Sequence, residues 1–267
     1  MAVNAREVLL ALSYKYKGEW KKIMSAISNK ESIEDVYYEE SKSKIKADYL
    51  TVIDDDYPVN LRRSNYPPFL LYMYGDKELL SEKYLLSVVG TRYPTMYQND
   101  TVYSLIKEVE EKMNNRAVIV SGMAKGIDQA AMKAAIDSGA PVIAIIGSGI
   151  DAPYPSDNQG IYEYCKSGKG LVLSEYPLDI EAKRENFIFR NRLLAALSNV
   201  LFVGGGKLRS GTTSTVRYSL DLDKDILALP CNITGDDLTN ALIKDGAISV
   251  LSSSDIIDAL KDNSLNK

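Results

Sequence analysis

Four short segments of the chain combine glycine with hydroxyl or basic residues, and each directly follows a run of apolar residues. They are Gly90-Thr91-Arg92, Ser121-Gly122-Met123-Ala124-Lys125-Gly126, Gly147-Ser148-Gly149, and Gly204-Gly205-Gly206 with its continuation through Lys207 to Ser210-Gly211-Thr212-Thr213. Glycine lets the backbone approach a phosphate closely, and the N–H groups of a following helix then point at the anion. A single such loop is often only a tight turn, but four of them favour a ligand rich in phosphate.

The segment from Lys183 to Arg217 is strongly basic. It contains seven basic residues and one acidic residue, a local charge of +6 in a chain whose net charge is −4. At its centre the run Phe189-Arg190-Asn191-Arg192 stands where the apolar pattern predicts the start of a helix. Two guanidinium groups in the first turn of a helix oppose the helix dipole, unless a polyanion binds there. An aromatic ring beside cationic donors is typical of proteins that bind single strands by base stacking and phosphate neutralisation.

A second interpretation of the same residues remains open. Phe187 and Phe189 can be core residues, with the neighbouring arginines paired to Glu175 or Asp151. A basic segment can also be a solvated face with no ligand. The two interpretations are compatible for individual residues, because one arginine can contact a ligand while another stabilises the fold.

The elements that must position these residues follow a regular order between Tyr84 and Pro230. Six runs are almost continuously apolar, as expected of strands buried on both faces of a sheet: LLSVVG, AVIVSG, PVIAIIG, GLVLSEY, NVLFVGG and DILALP. Amphipathic segments of helical length lie between most of them: Asn99 to Met113, Ile127 to Asp137, Ile188 to Leu197 and Thr213 to Leu222. This alternation predicts an α/β fold with a doubly wound, mainly parallel sheet, which binds ligands at the carboxyl ends of its strands.

The chain divides into two unequal parts. Residues 1–80 are predicted to form a small N-terminal helical region and a lead-in, because VLLALSYKYKGEWKKIMSAIS has helical apolar spacing and prolines interrupt the later stretch. Residues 81–267 are predicted to form the α/β domain that carries the binding site.

Composition excludes several classes of function. The 267 residues include no histidine and two cysteines, which excludes Ser-His-Asp and Cys-His catalysis and any histidine-ligated metal site. We therefore expect no metal and no cofactor. The stretch Gly147 to Ala152 fits a dinucleotide fingerprint, but Pro153 and Pro155 stand where its helix must begin. No signal peptide and no apolar run of ~18 residues are present, so a cytoplasmic protein without a membrane segment is expected.

An ordered set of motifs resembles the DNA-processing protein A (Smf) family of bacterial single-stranded-DNA-binding proteins. The resemblance runs from about Asp56 to Gly246 and includes ValValGlyThrArg at Val88 to Arg92, SerGluTyrPro at Ser174 to Pro177, and PheArgAsnArgLeuLeuAlaAlaLeuSer from Phe189. Five further motifs complete the resemblance: TyrPro at Tyr57-Pro58 and Tyr154-Pro155, ProProPheLeuLeuTyr at Pro67 to Tyr72, ValSerGlyMetAlaLysGlyIleAsp at Val120 to Asp128, SerGlyThrThr at Ser210 to Thr213, and AlaLeuPro at Ala228 to Pro230.

The resemblance implies an extended Rossmann-like domain that binds single-stranded DNA as a homodimer and has no catalytic residues. It also implies that the protein helps to load a RecA-type recombinase during natural transformation or recombination. By motif position it assigns DNA contacts to Arg92, to Lys125 and to the trio Arg190-Asn191-Arg192, and it makes the Ser210 to Thr213 loop the floor of the pocket. One departure is Met132, which stands where the family usually has a histidine.

Two further functions use the same loops. A LOG-type nucleotide phosphoribohydrolase is disfavoured, because the segment Gly204 to Thr213 lacks that family's leading proline and Arg217 stands near the position of its catalytic glutamate. A module that senses a small nucleotide remains possible on sequence alone, since the same glycine loops would bind a mononucleotide.

Overall fold

A computed structural model of the chain describes residues 4–233 and 237–264. Its strands are β1 (Asp48–Thr51), β2 (Leu70–Gly75), β3 (Tyr84–Val89), β4 (Ala117–Ser121), β5 (Val142–Ile145), β6 (Leu171–Ser174), β7 (Val200–Val203), β8 (Ile226–Ala228) and β9 (Ile248–Ser249). Its α-helices are α1 (Ala5–Lys15), α2 (Trp20–Ser28), α3 (Asp35–Lys44), α4 (Val59–Arg62), α5 (Met96–Met113), α6 (Ile127–Asp137), α7 (Gln159–Tyr164), α8 (Arg184–Leu197), α9 (Gly211–Leu220), α10 (Asp237–Lys244) and α11 (Ser253–Asn263).

All the described strands join one sheet in the order β1-β2-β6-β5-β4-β3-β7-β8-β9. The strands from β6 to β9 in this order run parallel, whereas β2 pairs antiparallel with both β6 and β1. The six apolar runs of the sequence are six of these strands. Apolar side chains cover both faces of the sheet and form two large buried clusters. The predicted doubly wound, mainly parallel α/β fold is therefore confirmed.

The helix boundaries follow from local signals more closely at some elements than at others. α6 spans the predicted residues, and α5 begins three residues before its predicted start, where Thr95 and Gln98 form a reciprocal capping box. α8 begins four residues earlier than expected, at Arg184. The early start matters for the site, because it places the Arg190 to Arg192 run beyond the first turn of the helix.

Residues 4–47 contain three α-helices. Residues 48–75 add the two antiparallel strands β1 and β2 to the sheet, with the short helix α4 between them. These two strands were not predicted from the sequence. The buried hydroxyl of Tyr72 on β2 donates a hydrogen bond to Ser13 Oγ on α1 at 2.9 Å, so the helical region packs directly on the sheet. The boundary near residue 80 remains a prediction. None of the described helices is long and apolar enough to span a membrane.

Candidate functional site

The four glycine segments lie side by side at one edge of the sheet. They follow β5, β4, β3 and β7, which are consecutive neighbours and run in the same direction. The carboxyl ends of these strands therefore open onto one crevice, as the doubly wound topology requires. The fold brings together segments that are more than a hundred residues apart in the sequence.

Several of the glycines are needed for packing between strands and α6. A Cβ atom on Gly90 would lie 2.6 Å from Cγ1 of Ile127, and one on Gly204 would lie 2.8 Å from Cγ2 of the same residue. The N–H of Ile127 donates to the carbonyl oxygen of Thr91 at 3.2 Å. These two glycines therefore let α6 approach the sheet, and their presence alone is not evidence for phosphate binding.

Two of the predicted basic contacts are exposed at the crevice. Arg92 reaches into solvent after β3, and its guanidinium carbon lies 5.5 Å from the centre of the Phe187 ring. Lys125 follows β4 and forms an ion pair with Asp157, in which both side chains are about half exposed. The hydrogen bond and the charge of Asp157 raise the pKa of Lys125, so the ammonium group stays charged at neutral pH.

Phe187 lies over the Gly147 loop and is half-buried there. A Cβ atom on Gly147 would be 2.7 Å from Cδ1 of Phe187, so only glycine lets the ring come this close. The ring of Tyr154, which is 49% exposed, lies 5.8 Å from it between centroids. Phe187 and Tyr154 thus form an aromatic surface beside Arg92 that the predicted set of binding residues did not contain.

Phe189, the predicted stacking residue, lies in a different environment. It is half-buried next to Trp20 and Tyr66, with ring centroids 6.5 and 6.3 Å away. A signal in the sequence could have separated the two phenylalanines. Residues three apart share a helix face, so the spacing separates Phe187 and Arg190 from Phe189 and Arg192. The tertiary structure then places the first pair at the crevice and the second pair against the N-terminal region.

Arg190 is 4% exposed and lies beneath the crevice. Its Nη1 donates to the carbonyl oxygen of Gly122 at 3.0 Å and to that of Ile145, so it joins the ends of β4 and β5. Burial lowers the pKa of Arg190 to about 10 while the nearby Asp128 carboxylate raises it, so the side chain remains charged at neutral pH. Asp128 in turn accepts a hydrogen bond from the N–H of Gly122 at 3.1 Å.

Arg192 is 3% exposed and forms a bidentate ion pair with Glu175 at 2.5 and 2.7 Å. Its Nε donates to the carbonyl oxygen of Tyr66 at 2.9 Å, and its guanidinium carbon lies 3.7 Å from the centre of the Phe189 ring. The expectation that Arg190 and Arg192 stand in the first turn of a helix is wrong, and both side chains are buried. The alternative pairing with Glu175 is correct for Arg192.

Some of the remaining predicted residues are buried and others are exposed. The buried amide of Asn191 donates to the carbonyl oxygen of Gly211 at 3.2 Å and to Ser214 Oγ at 2.9 Å, which fixes the start of α9. Ser121 is buried and donates to the carbonyl oxygen of Val88 at 2.6 Å. Thr212 is also buried, and the half-buried Thr213 donates to the carbonyl oxygen of Leu208 at 3.0 Å. Lys207 and Gly211 are exposed, and Ser210, Gly126, Thr91 and Gly90 are partly exposed.

Residues 48–261 match the model of the family described as DNA recombination-mediator protein A. The chain belongs to this family. The DNA processing protein DprA of Streptococcus pneumoniae is 35% identical over 219 residues, which are 81% of this chain and 76% of that protein. The family predicted from the sequence motifs is confirmed.

Two solved structures of the same family share the fold. The X-ray structure of DNA processing protein A from Streptococcus pneumoniae matches with a TM-score of 0.78 at 28% identity, over 97% of this chain and 98% of that chain. A structure of DNA processing protein A from Helicobacter pylori, described for its unique single-stranded DNA binding mode, matches with a TM-score of 0.72 at 32% identity. It covers 82% of this chain and 98% of that chain.

In this member of the DNA recombination-mediator protein A family, the motif residues therefore have two kinds of environment. Arg92, Lys125 and Lys207 carry charges that reach solvent at the crevice. Arg190 and Arg192 are buried. The hydrogen bonds of Arg190 join the ends of β4 and β5 beneath the crevice, and Arg192 is paired with Glu175. The chemistry of the site depends on the exposed residues, which combine cationic hydrogen-bond donors with nearby aromatic rings.

Proposed function

We propose that the protein binds single-stranded DNA in the crevice at the carboxyl edge of its sheet and acts without catalysis. The observation that carries the proposal is the exposed pair Arg92 and Lys125 at the crevice, with the half-buried ring of Phe187 beside Arg92. Arg92 and Lys125 would neutralise phosphates and Phe187 would stack on a base, the combination used by proteins that bind single strands. The single-stranded DNA binding mode described for the Helicobacter pylori relative supports the same ligand.

The proposal extends to the partners that the family implies. We infer that the protein acts in the cytoplasm as a homodimer and transfers its strand to a RecA-type recombinase in transformation or recombination. The description of the family as a DNA recombination mediator supports this role. Lys207 and the Ser210 to Thr213 loop, which lie after the neighbouring strand β7, would contact further phosphates of the strand.

A role without catalysis is supported by the state of the two buried acidic groups near the crevice. The Glu175 carboxylate is buried and bound by Arg192 at both oxygens, and Asp128 accepts backbone hydrogen bonds from Gly122 and Ala124. Neither carboxylate is available as a general base. We expect that incubation with nucleoside monophosphates releases no free base, with or without a divalent metal.

The test is fluorescence anisotropy with a labelled oligothymidine, the corresponding duplex and a single nucleotide, at two or more salt concentrations. The single strand should bind most tightly, and each phosphate contact should contribute about −0.7 to the slope of log K against log salt. Arg92→Ala should weaken binding by about 1.5–3 kcal/mol, the range for a hydrogen bond to a charged group, and should make the slope shallower.

Arg116→Ala is the matched control. Arg116 is exposed and directly precedes β4, so it lies at the opposite end of that strand from the crevice. This variant should bind the oligothymidine like the wild type. Equal affinity for the duplex, a flat salt response, or equal losses from the two arginine variants would contradict the proposed site. Preferential binding of the single nucleotide would favour the nucleotide-sensing alternative.

A further inference from the structure

Tyr93 is a large aromatic residue that is 90% exposed directly beside Arg92. Its backbone is held in place, because its N–H donates to Thr91 Oγ1 at 3.2 Å and α5 begins three residues later behind a capping box. The ring therefore projects into solvent from an anchored loop. Single exposed aromatic residues are common on protein surfaces, so the inference depends on what surrounds this one.

The Tyr93 loop packs against the loop that carries Lys125. Gly126 has a positive φ of 80°, and a Cβ atom there would lie 2.9 Å from the carbonyl carbon of Arg92 and 2.9 Å from Cδ of Pro94. Only glycine allows this contact between the two loops. Lys125 and Tyr93 are thus held on abutting turns at the carboxyl ends of neighbouring strands.

A third loop approaches Lys125 from the other side. The buried side chain of Asn158 donates to the carbonyl oxygens of Met123 and Ala124 at 2.9 and 3.1 Å, which ties residues 153–158 to the Lys125 loop. Tyr154 lies on that segment. Asp157 has the largest effect in raising the pKa of Lys125, and the phenol groups of Tyr154 and Tyr93 are close enough to add to it.

We propose that Tyr93 is a second base-stacking position, separated by Lys125 from the first position on Phe187 and Tyr154. The proposal rests on the proposed function and names its ligand more closely, as a single strand that crosses Lys125. The loops that carry Tyr154, Lys125 and Tyr93 follow the neighbouring strands β5, β4 and β3 in that order. This sequence of ring, cation and ring matches the base, phosphate and base of successive nucleotides.

The ion pair between Lys125 and Asp157 is compatible with this path. Both side chains are about half exposed. An ion pair exposed to water to this extent contributes little to stability. A phosphate with hydrogen-bond access to the ammonium can therefore displace Asp157. Asp157→Asn should then strengthen binding of the strand, because the competing carboxylate is gone.

The experiment compares two labelled oligomers of equal length and charge, an oligothymidine and an abasic deoxyribose-phosphate chain. Tyr93→Ala should weaken binding of the oligothymidine roughly tenfold, the effect of losing one stacked base, and should leave the abasic chain and the salt slope unchanged. Tyr93→Phe should bind like the wild type, because the ring is kept. Lys125→Ala should weaken binding of both oligomers and reduce the salt slope by about 0.7.

Met96→Ala is the matched control, because Met96 is 80% exposed near the same loop and has no ring. It should leave both affinities unchanged. The inference is overturned if Tyr93→Ala binds oligothymidine like the wild type, or if it weakens binding of the abasic chain equally. When either result occurs while Arg92→Ala still weakens binding, the proposed function stands and only the Tyr93 position is wrong. Failure of the wild type to prefer single strands would overturn both.

Discussion

Replacing Arg192 by alanine should destabilise the fold and leave the DNA site intact in the protein that remains folded. Arg192 is 3% exposed, and both oxygens of the equally buried Glu175 depend on it for their ion pair. The substitution leaves the carboxylate buried without its cation. It also removes the donor to the Tyr66 carbonyl and the charge that lies over the Phe189 ring.

The magnitude follows from burial. Removing one partner of a buried ion pair typically costs about 3–5 kcal/mol, because the remaining charge is uncompensated. In chains of 150–250 residues each kcal/mol lowers the melting temperature by about 2–4 °C. Arg192→Ala should therefore melt roughly 6–20 °C below the wild type. The double variant Arg192→Met/Glu175→Leu should recover much of this loss, since no unpaired charge remains in its interior.

The assay is urea and thermal denaturation of the two variants and the wild type, followed by oligothymidine binding well below each melting temperature. Arg116→Ala, which removes an exposed arginine, is the control and should change stability by no more than about 0.5 kcal/mol. The reasoning is refuted if Arg192→Ala melts with the wild type yet loses DNA affinity. That result would make Arg192 a DNA contact. A double variant less stable than the single one would refute the argument from the unpaired charge.

Three other substitutions test the site, the packing beside it and a buried carboxyl group. Phe187→Ala should weaken oligothymidine binding by about 1–3 kcal/mol. Phe189→Ala should keep its affinity and lose stability, though less than the roughly 3–5 kcal/mol lost with a fully buried phenylalanine. If anisotropy shows the loss of affinity in Phe189→Ala and melting shows the loss of stability in Phe187→Ala, the stacking ring is Phe189. Burial raises the pKa of Glu110 to about 8, although a backbone hydrogen bond at Ala117 acts to lower it. A folded-state pKa above the unfolded value makes stability fall as pH rises from about 4.5 to 8. Glu110→Gln should flatten that slope in denaturation measured at pH 5 and pH 8, and an unchanged slope would contradict it.

The architecture of the sheet could be read from the sequence because of how parallel strands are buried. Strands covered on both faces are apolar at nearly every position, so LLSVVG, AVIVSG and PVIAIIG stand out without any tertiary information. The alternation with amphipathic helices then determines the parallel connections and the edge at which ligands bind. The strands β1 and β2 were not predicted. β2 joins the sheet by pairing antiparallel with β6, about a hundred residues away in the chain, and β1 joins it only through β2.

The position of the basic loops was also determined by the sequence. Arg92 and Lys125 each follow a buried strand, and the carboxyl ends of neighbouring parallel strands must lie at one edge. Their placement at the crevice therefore needs no knowledge of side-chain contacts. Both residues are charged and follow runs of apolar residues, so their side chains are expected to be exposed to solvent.

Only the tertiary structure decided what the arginines and phenylalanines of α8 do. Arg192 binds Glu175, 17 positions away in the chain, and the Tyr66 carbonyl, 126 positions away. Local sequence cannot show which distant groups will meet a given face of a helix. Phe187 and Phe189 differ by two positions, yet one faces the Gly147 loop and the other faces Trp20. Their different surroundings arise because successive helical residues point about 100° apart and the packing of α8 between two regions gives each direction a different neighbour.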